Sequence, residues 1–449
     1  MTQPAARPIL AEMPGILRLA VPIVAGLSAS TLIGVTDSLM LAPLGPVALA
    51  AAGLTGAAAL IIYAALYGLL SALSVRIGQA WGAGEARRIP LILRNGLALG
   101  ALAGLGGTLV MGGSFFLLPW LDQPPEVIAA LPGYWAAISL FMIPFSLLTV
   151  FKASFEAIDR PWLGTLFAFV AVAVNVPLNY VLIWGPGPLP ALGLIGAGIA
   201  SVAAEGFALA LAWIYWRAAP SMRRLRLRRA LTLSEIGASL REGAPLGALY
   251  LAETGAMAVA VAMIGTFGTV ALAANQVASA IGALLYMLPL GVAGAVAIRV
   301  AQEQGAGNLA ALRPIAWAAI GLASLWQAAC AGALIVGANA IAGLVTADPA
   351  VIAAAAAILL VFAPMQIVDG IQSTALGALR GMSDVAVPAA VSILAYWIVA
   401  LPLGWLLATR GGMGPPGIWA GFLAGLILAA AILLRRFLGR TAADLPSPP

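Results

Sequence analysis

The sequence predicts an all-α integral membrane protein with twelve transmembrane helices. They form two six-helix lobes related by a pseudo-twofold axis along the membrane normal. Three observations predict this. Of the 449 residues, 63% are hydrophobic and only 8% charged, against about 25% charged in soluble domains, too few to cover a water-exposed surface. Apolar runs recur at lengths that cross the ~30 Å hydrocarbon core, which takes about 20 helical residues. Segments also return at a constant spacing along the chain. LRLAVP from Leu17 returns as LREGAP from Leu240, GPVALAAAGL from Gly45 as GTVALAANQV from Gly268, and VRIGQAWGAG from Val75 as IRVAQEQGAG from Ile298. The offset is 223 residues each time, so helix 1 corresponds to helix 7 and six helices repeat. An even repeat keeps both copies in one orientation, and parallel repeats of this kind mark transporters with a substrate site at the repeat interface.

Apolar runs between loop signals place the elements in order. In the first half they span 14–41, 47–75, 89–120, 132–156, 161–184 and 192–217. In the second they span 236–265, 270–300, 313–346, 351–377, 386–408 and 414–438. Several exceed a perpendicular span, which implies tilt. The expected organisation is an N-terminal lobe at 1–216, an Arg-rich linker at 217–235 and a C-terminal lobe at 236–449. Glycines and prolines inside the runs are compatible with membrane helices, where neighbours satisfy the freed backbone groups. WGAG and EQGAG read as turns closing long helices, since neither has the GxxxxGK[ST] pattern of a phosphate loop. With no ATP site evident, transport is secondary.

The cations set the topology. Arg7, Arg18, Arg76, Arg87, Arg88, Arg94 and Arg160 fall on one side of an even-numbered arrangement. So do Arg217, Arg223, Arg224, Arg226, Arg228, Arg229, Arg241, Arg299, Arg313, Arg380, Arg435, Arg436 and Arg440. Arg76 is expected to flank the loop after helix 2, Arg299 that after helix 8, and Arg380 to lie in the loop after helix 10. The other side has Arg410 with Asp122, Glu126 and Asp348. The positive-inside rule then puts both termini in the cytoplasm. The run SMRRLRLRRA is a cytoplasmic linker against anionic headgroups rather than a nucleic-acid patch. The N-terminus lacks the pattern of a cleaved signal peptide.

Composition also excludes chemistry. Cys330 is the only cysteine and the chain has no histidine, so an internal disulfide, a histidine relay and a zinc site are all ruled out. An intramembrane transferase, needing a catalytic His, a metal cluster or a large extramembrane loop, has nothing to stand on. A non-transporting scaffold is disfavoured by the acids inside duplicated lobes.

Those acids are few and expensive, about 2.5–3.5 kcal/mol each at the bilayer centre on insertion scales, and so mark function. Asp37 lies in the outer half of helix 1. Asn175 and Asn179 in helix 5 are spaced i, i+4 on one face, with Pro177 between them loosening the ladder. With Ser201 in helix 6 these make a hard-oxygen set able to hold Na⁺ or to hydrogen-bond a protonated acid. The bland reading is that the Asn pair ties helix 5 to helix 1. Glu253 in helix 7 and Asp369 in helix 10 form a second pair. Two carboxylates in low dielectric do not both stay ionised without a proton, Na⁺ or an organic cation between them. A fixed negative site with competing cations is what cation-coupled antiport requires. Tyr286 in helix 8 offers an aromatic face to an organic cation, or simply packs. Glu205 and Glu156 read as interfacial or pair-forming, with Lys152 one turn from Glu156.

TDSLMLAPLGPVALAAAGL, VRIGQAWGAG, NVPLNYVLIWG with ALGLIGAGIAS, GTVALAANQVA and VDGIQSTALGALRGMSD, in this order, resemble the multidrug and toxic compound extrusion (MATE) family and its bacterial NorM branch, over about residues 12–437. The resemblance implies a rocker-switch antiporter with a central cavity that expels cationic, amphipathic drugs and dyes against Na⁺ or H⁺, without an organic cofactor. It implies a first cation site at Asp37, Asn175, Asn179 and Ser201. It further implies cation and substrate positions at Glu253, Tyr286 and Asp369, with Gln276 nearby and Asp37 also reached by substrate. Asn179 stands where another branch carries Asp, and Met365 where some NorM-like members carry Tyr. A bacterial inner-membrane location, contact with lipids, no nucleic-acid partner and action as a monomer go with this reading. The nearest rival is a flippase of the same superfamily moving a lipid-linked or polysaccharide precursor. Its cavity needs fixed cations for phosphates, and few Arg or Lys lie in the spans.

Overall fold

The structure, a computed structural model, describes residues 8–121, 123–187, 189–226 and 230–443. Arg7, Asp122, Arg228 and Arg229 lie outside them. The first half carries α1 (Ile9–Leu41), α2 (Pro46–Gly82), α3 (Ile89–Ser114), α4 (Pro125–Ala157), α5 (Pro161–Trp184) and α6 (Gly193–Ala218). The second carries α7 (Leu233–Gly265), α8 (Thr269–Gly305), α9 (Leu312–Gly343), α10 (Pro349–Gly381), α11 (Ala386–Leu394), α12 (Leu401–Thr409) and α13 (Pro415–Ala443). Among the described residues twelve helical stretches are long and apolar enough to cross a membrane, α11 and α12 counting as one.

Local sequence explains the boundaries. Proline opens α2, α4, α5, α10 and α13, where its fixed φ suits a helix start and its missing N–H is no loss. Asp348 caps α10, its carboxylate accepting from the N–H of Ala350 at 2.8 Å. Gly45 and Gly268, equivalent in the repeat, turn the chain into α2 and α8 at φ of 100° and 105°, a region open to glycine. α11 passes into α12 through a π-helical stretch, Ala395–Ala400. Pro402 has no N–H to return to the preceding turn, which loosens the ladder at that point.

Several helices run further than expected, three of them past an arginine. α2, α8 and α10 continue to Gly82, Gly305 and Gly381, so Arg76, Arg299 and Arg380 sit within helices rather than in or beside loops. Arg76 and Arg380 are buried. α3 instead ends at Ser114 and tightens into a 3₁₀ stretch, Phe115–Leu121.

The compact units do not follow the chain-order division at 217–235. One comprises residues 25–247, the other residues 1–24 with 248–449. The leading segments of α1 and α7 are thus exchanged between the halves. Small residues explain how each is held. A Cβ on Gly243 of α7 would fall on the Leu69 carbonyl of α2, and one on Gly291 of α8 would fall on Val24 of α1. In lipid, helices associate through such close backbone approach.

Matched ion pairs reinforce both attachments. Arg76 donates to Glu235 at 2.6 Å and to the Ser239 hydroxyl at 2.7 Å, with Glu242 at 3.8 Å. At the same repeat offset, Arg299 meets Glu12 at 3.3 Å and Glu303 at 3.2 Å. Arg76 and Glu12 are only 7% and 5% exposed, so each needs its partner.

In the 25–247 unit, α4 is flanked by α2, α3 and α6, and α5 packs on α6. In the other, α10 packs on α8, α9 and α13. Phe362, Trp419 and Phe422 fill its core, with ring centroids 4.9 and 5.3 Å apart.

Candidate functional site

Asp37, Asn175, Asn179 and Ser201 come together inside the 25–247 unit. The Asn179 amide donates to Asp37 Oδ1 at 2.5 Å and to Asn175 Oδ1 at 3.0 Å. Ser201 Oγ donates to Asp37 Oδ2 at 3.1 Å and accepts from Asn175 Nδ2 at 3.1 Å. Asn175 and Asn179 are wholly buried, held one above the other by the helical spacing read from the sequence. Both carboxylate oxygens are thereby satisfied by neutral donors. Asn179 Oδ1 is buried with no hydrogen-bond partner among the described residues. An acceptor left open beside a carboxylate suits a protonated acid or a hard monovalent cation. Among the described residues no three His, Cys, Asp or Glu assemble.

Glu253, Asp369 and Tyr286 assemble in the other unit. Glu253 and Asp369 lie within reach of each other's charge, and both act on Tyr286. The Tyr396 hydroxyl hydrogen-bonds Glu253 from the π-helical stretch, and Arg380 bonds the Tyr250 hydroxyl. A cavity of about 30 Å³ opens beside Glu253, lined among others by Tyr250, Tyr286, Gln372, Ser373 and Arg380. Gln276 is exposed on α8 and does not line it.

The MatE family model matches residues 22–181 and again 245–406, the two halves found by the repeat. The chain belongs to this family. A probable multidrug resistance protein NorM of Deinococcus radiodurans is 35% identical over 442 residues, covering 96% of each chain. Among solved structures, a MATE in the bent conformation superposes with a TM-score of 0.89 at 19% identity, covering 98% of this chain and 99% of that one. The eukaryotic MATE transporter AtDTX14 gives 0.88 at 20%, covering 97% and 98%. These likenesses establish the fold, and family membership makes the chain a multi-pass transporter of small organic compounds, not an enzyme.

This MATE-family chain also holds polar residues that sequence reasoning did not bring to the sites. Tyr250 and Glu253 share a face of α7 at i, i+3, and Asp369, Gln372, Ser373, Leu376 and Arg380 share one of α10. Both were legible as helical spacing. Tyr396 was not, because nothing in its own segment points to Glu253. Glu205 is buried on α6 one turn beyond Ser201, and the Lys152 charge acts on it from α4.

Proposed function

We propose that this MATE-family protein is a secondary antiporter that exports cationic amphipathic compounds in exchange for Na⁺ or H⁺ by alternating access. It works as a monomer in a bacterial inner membrane, with both termini in the cytoplasm. The observation that carries this reading is the Glu253–Asp369 pair. Two acids within membrane-spanning helices lie within reach of each other's charge, and the one cation lining the cavity beside Glu253 is Arg380, so the cluster stays one positive charge short. A mobile cation completes it: Na⁺, a proton or an organic cation.

The outward-facing state admits the coupling cation to Glu253 and Asp369, and to Asp37 with its Asn and Ser partners. Neutralised acids hold a cationic substrate weakly, and it leaves outward. The loaded cation favours the inward-facing state and is released there, where new substrate competes for the acids. Coupling requires each ligand to bind the two states unequally.

The test is ethidium transport in proteoliposomes under an imposed Na⁺ gradient and, separately, a pH gradient. Transport on Na⁺ alone assigns Na⁺/drug antiport, and transport on the pH gradient alone assigns proton carriage to the same acids. No response to either, with folded protein and several dyes, favours a lipid-linked precursor flippase.

A further inference from the structure

Arg380 lies in the last turn of α10, only 8% exposed and without an ion-pair partner among the described residues. Its Nε is buried with no hydrogen-bond partner among them. A guanidinium so placed is costly unless its charge is answered. The cavity it shares with Glu253 supplies that answer. At about 30 Å³ the space takes roughly two waters, and Tyr250, Glu253, Tyr286, Gln372, Ser373 and Arg380 are among the residues that line it. Tyr250 links the two charged residues: it is one turn from Glu253 on α7, lines the same cavity and hydrogen-bonds Arg380. The charged and titratable groups facing Glu253 are Tyr250 from its own helix, Tyr286 from α8, Asp369 and Arg380 from α10, and Tyr396 from the π-helical stretch. Arg380 alone among them is positive.

We propose that Arg380 is a positioning residue for the second acid cluster: a built-in cation, joined to Glu253 through Tyr250 and cavity water, that stands in for the transported one. When a mobile cation leaves, the guanidinium offsets the acid it vacates, which eases release and keeps the empty cluster from trapping its cargo. The inference deepens the export reading above and rests on it for the identity of the cargo.

The experiment uses the full chain purified in detergent, with ethidium as probe at fixed pH and Na⁺. R380Q is expected to bind ethidium roughly tenfold more tightly than wild type, since the acids lose their offset, and R380K to stay within about twofold of it. In an E253Q background the effect of R380Q is expected to vanish, because the arginine acts through Glu253. Unchanged affinity in R380Q, or the same change with and without Glu253, overturns the assignment. A second readout needs no substrate: the thermal unfolding midpoint at fixed pH, read as a double-mutant cycle. The shift caused by R380Q should differ between the wild-type and E253Q backgrounds. The same shift in both backgrounds belongs to a merely structural arginine and overturns the proposal. If wild type binds no ethidium while the stability cycle holds, the export reading falls and the charge coupling stands.

Discussion

Asp37 sits alone among neutral groups, each carboxylate oxygen taken by an amide or a hydroxyl. Glu253 and Asp369 lie within reach of each other's charge among three tyrosines, and an arginine lines the cavity beside Glu253. At the repeat offset Asp37 falls opposite Ala260 and Glu253 opposite Ser30, so the two acid sites are not copies. The ion pairs are: Arg76 with Glu235 and Arg299 with Glu12 keep both partners at that offset. The duplication therefore preserves what fastens the helices and lets the acid chemistry diverge. Fastening needs the same geometry twice, whereas a cation site needs only oxygen donors somewhere within a unit.

The comparison breaks first at the acids. The E253Q/D369N double variant leaves Arg380 as the only charge of its cluster, and gradient-driven ethidium efflux is expected to fall by more than about a hundredfold. D37N keeps a donor and an acceptor for its neighbours and is expected to lose about tenfold under the same assay. Full efflux with full cation dependence in each single variant, E253Q and D369N, would sink the coupling scheme.

The ion pairs test whether matched fasteners are equal. Arg76 is 7% exposed and Arg299 21%. Removing Arg76 leaves Glu235 and Glu242, 14% and 25% exposed, in partial contact with water. Removing Arg299 leaves Glu12, 5% exposed, without its partner. R299A should therefore cost about 3 kcal/mol and R76A about 1 kcal/mol in unfolding measured on purified protein. Equal losses would show that burial is not what distinguishes them.

N179D sharpens the comparison from the other side by giving the Asp37 site a second acid. The half-saturating concentration of the coupling cation should fall several-fold, read from the cation dependence of efflux in the otherwise wild-type chain. An unchanged value would show that the Asp37 site does not set the affinity for the coupling cation.

The smallest effect lies outside the spans. Asp384 accepts from Arg436 at 2.7 Å and Arg440 at 3.1 Å. Burial works against its charge, but the hydrogen bonds and charges of the two arginines outweigh that and hold its carboxyl below the ordinary 3.8. A depressed folded value means its contribution is whole above 3.8 and is lost as pH falls through the lower folded value. With both arginines partly exposed, D384N should cost about 1 kcal/mol at neutral pH. Its unfolding midpoint should also decline less steeply with acid than that of wild type.

The sequence by itself determined the membrane class, the twelve spans and the repeat, because hydropathy and a constant offset are properties of the chain in one dimension. The i, i+4 spacing likewise put Asn175 and Asn179 on one face, and the scarcity of charge in apolar runs singled out Asp37, Glu253 and Asp369. Which helices meet is settled by packing in three dimensions. Composition says nothing of the contact that brings Tyr396 from a π-helical stretch to Glu253, nor of the exchange of the α1 and α7 leaders between compact units. Arg76, Arg299 and Arg380 mark the boundary between the two. Counted along the chain they read as loop-side charges of the kind the positive-inside rule sorts. Their helices run past the expected ends because carboxylates, a tyrosine and a polar cavity from other helices meet them there, and a partner distant in sequence leaves no local trace.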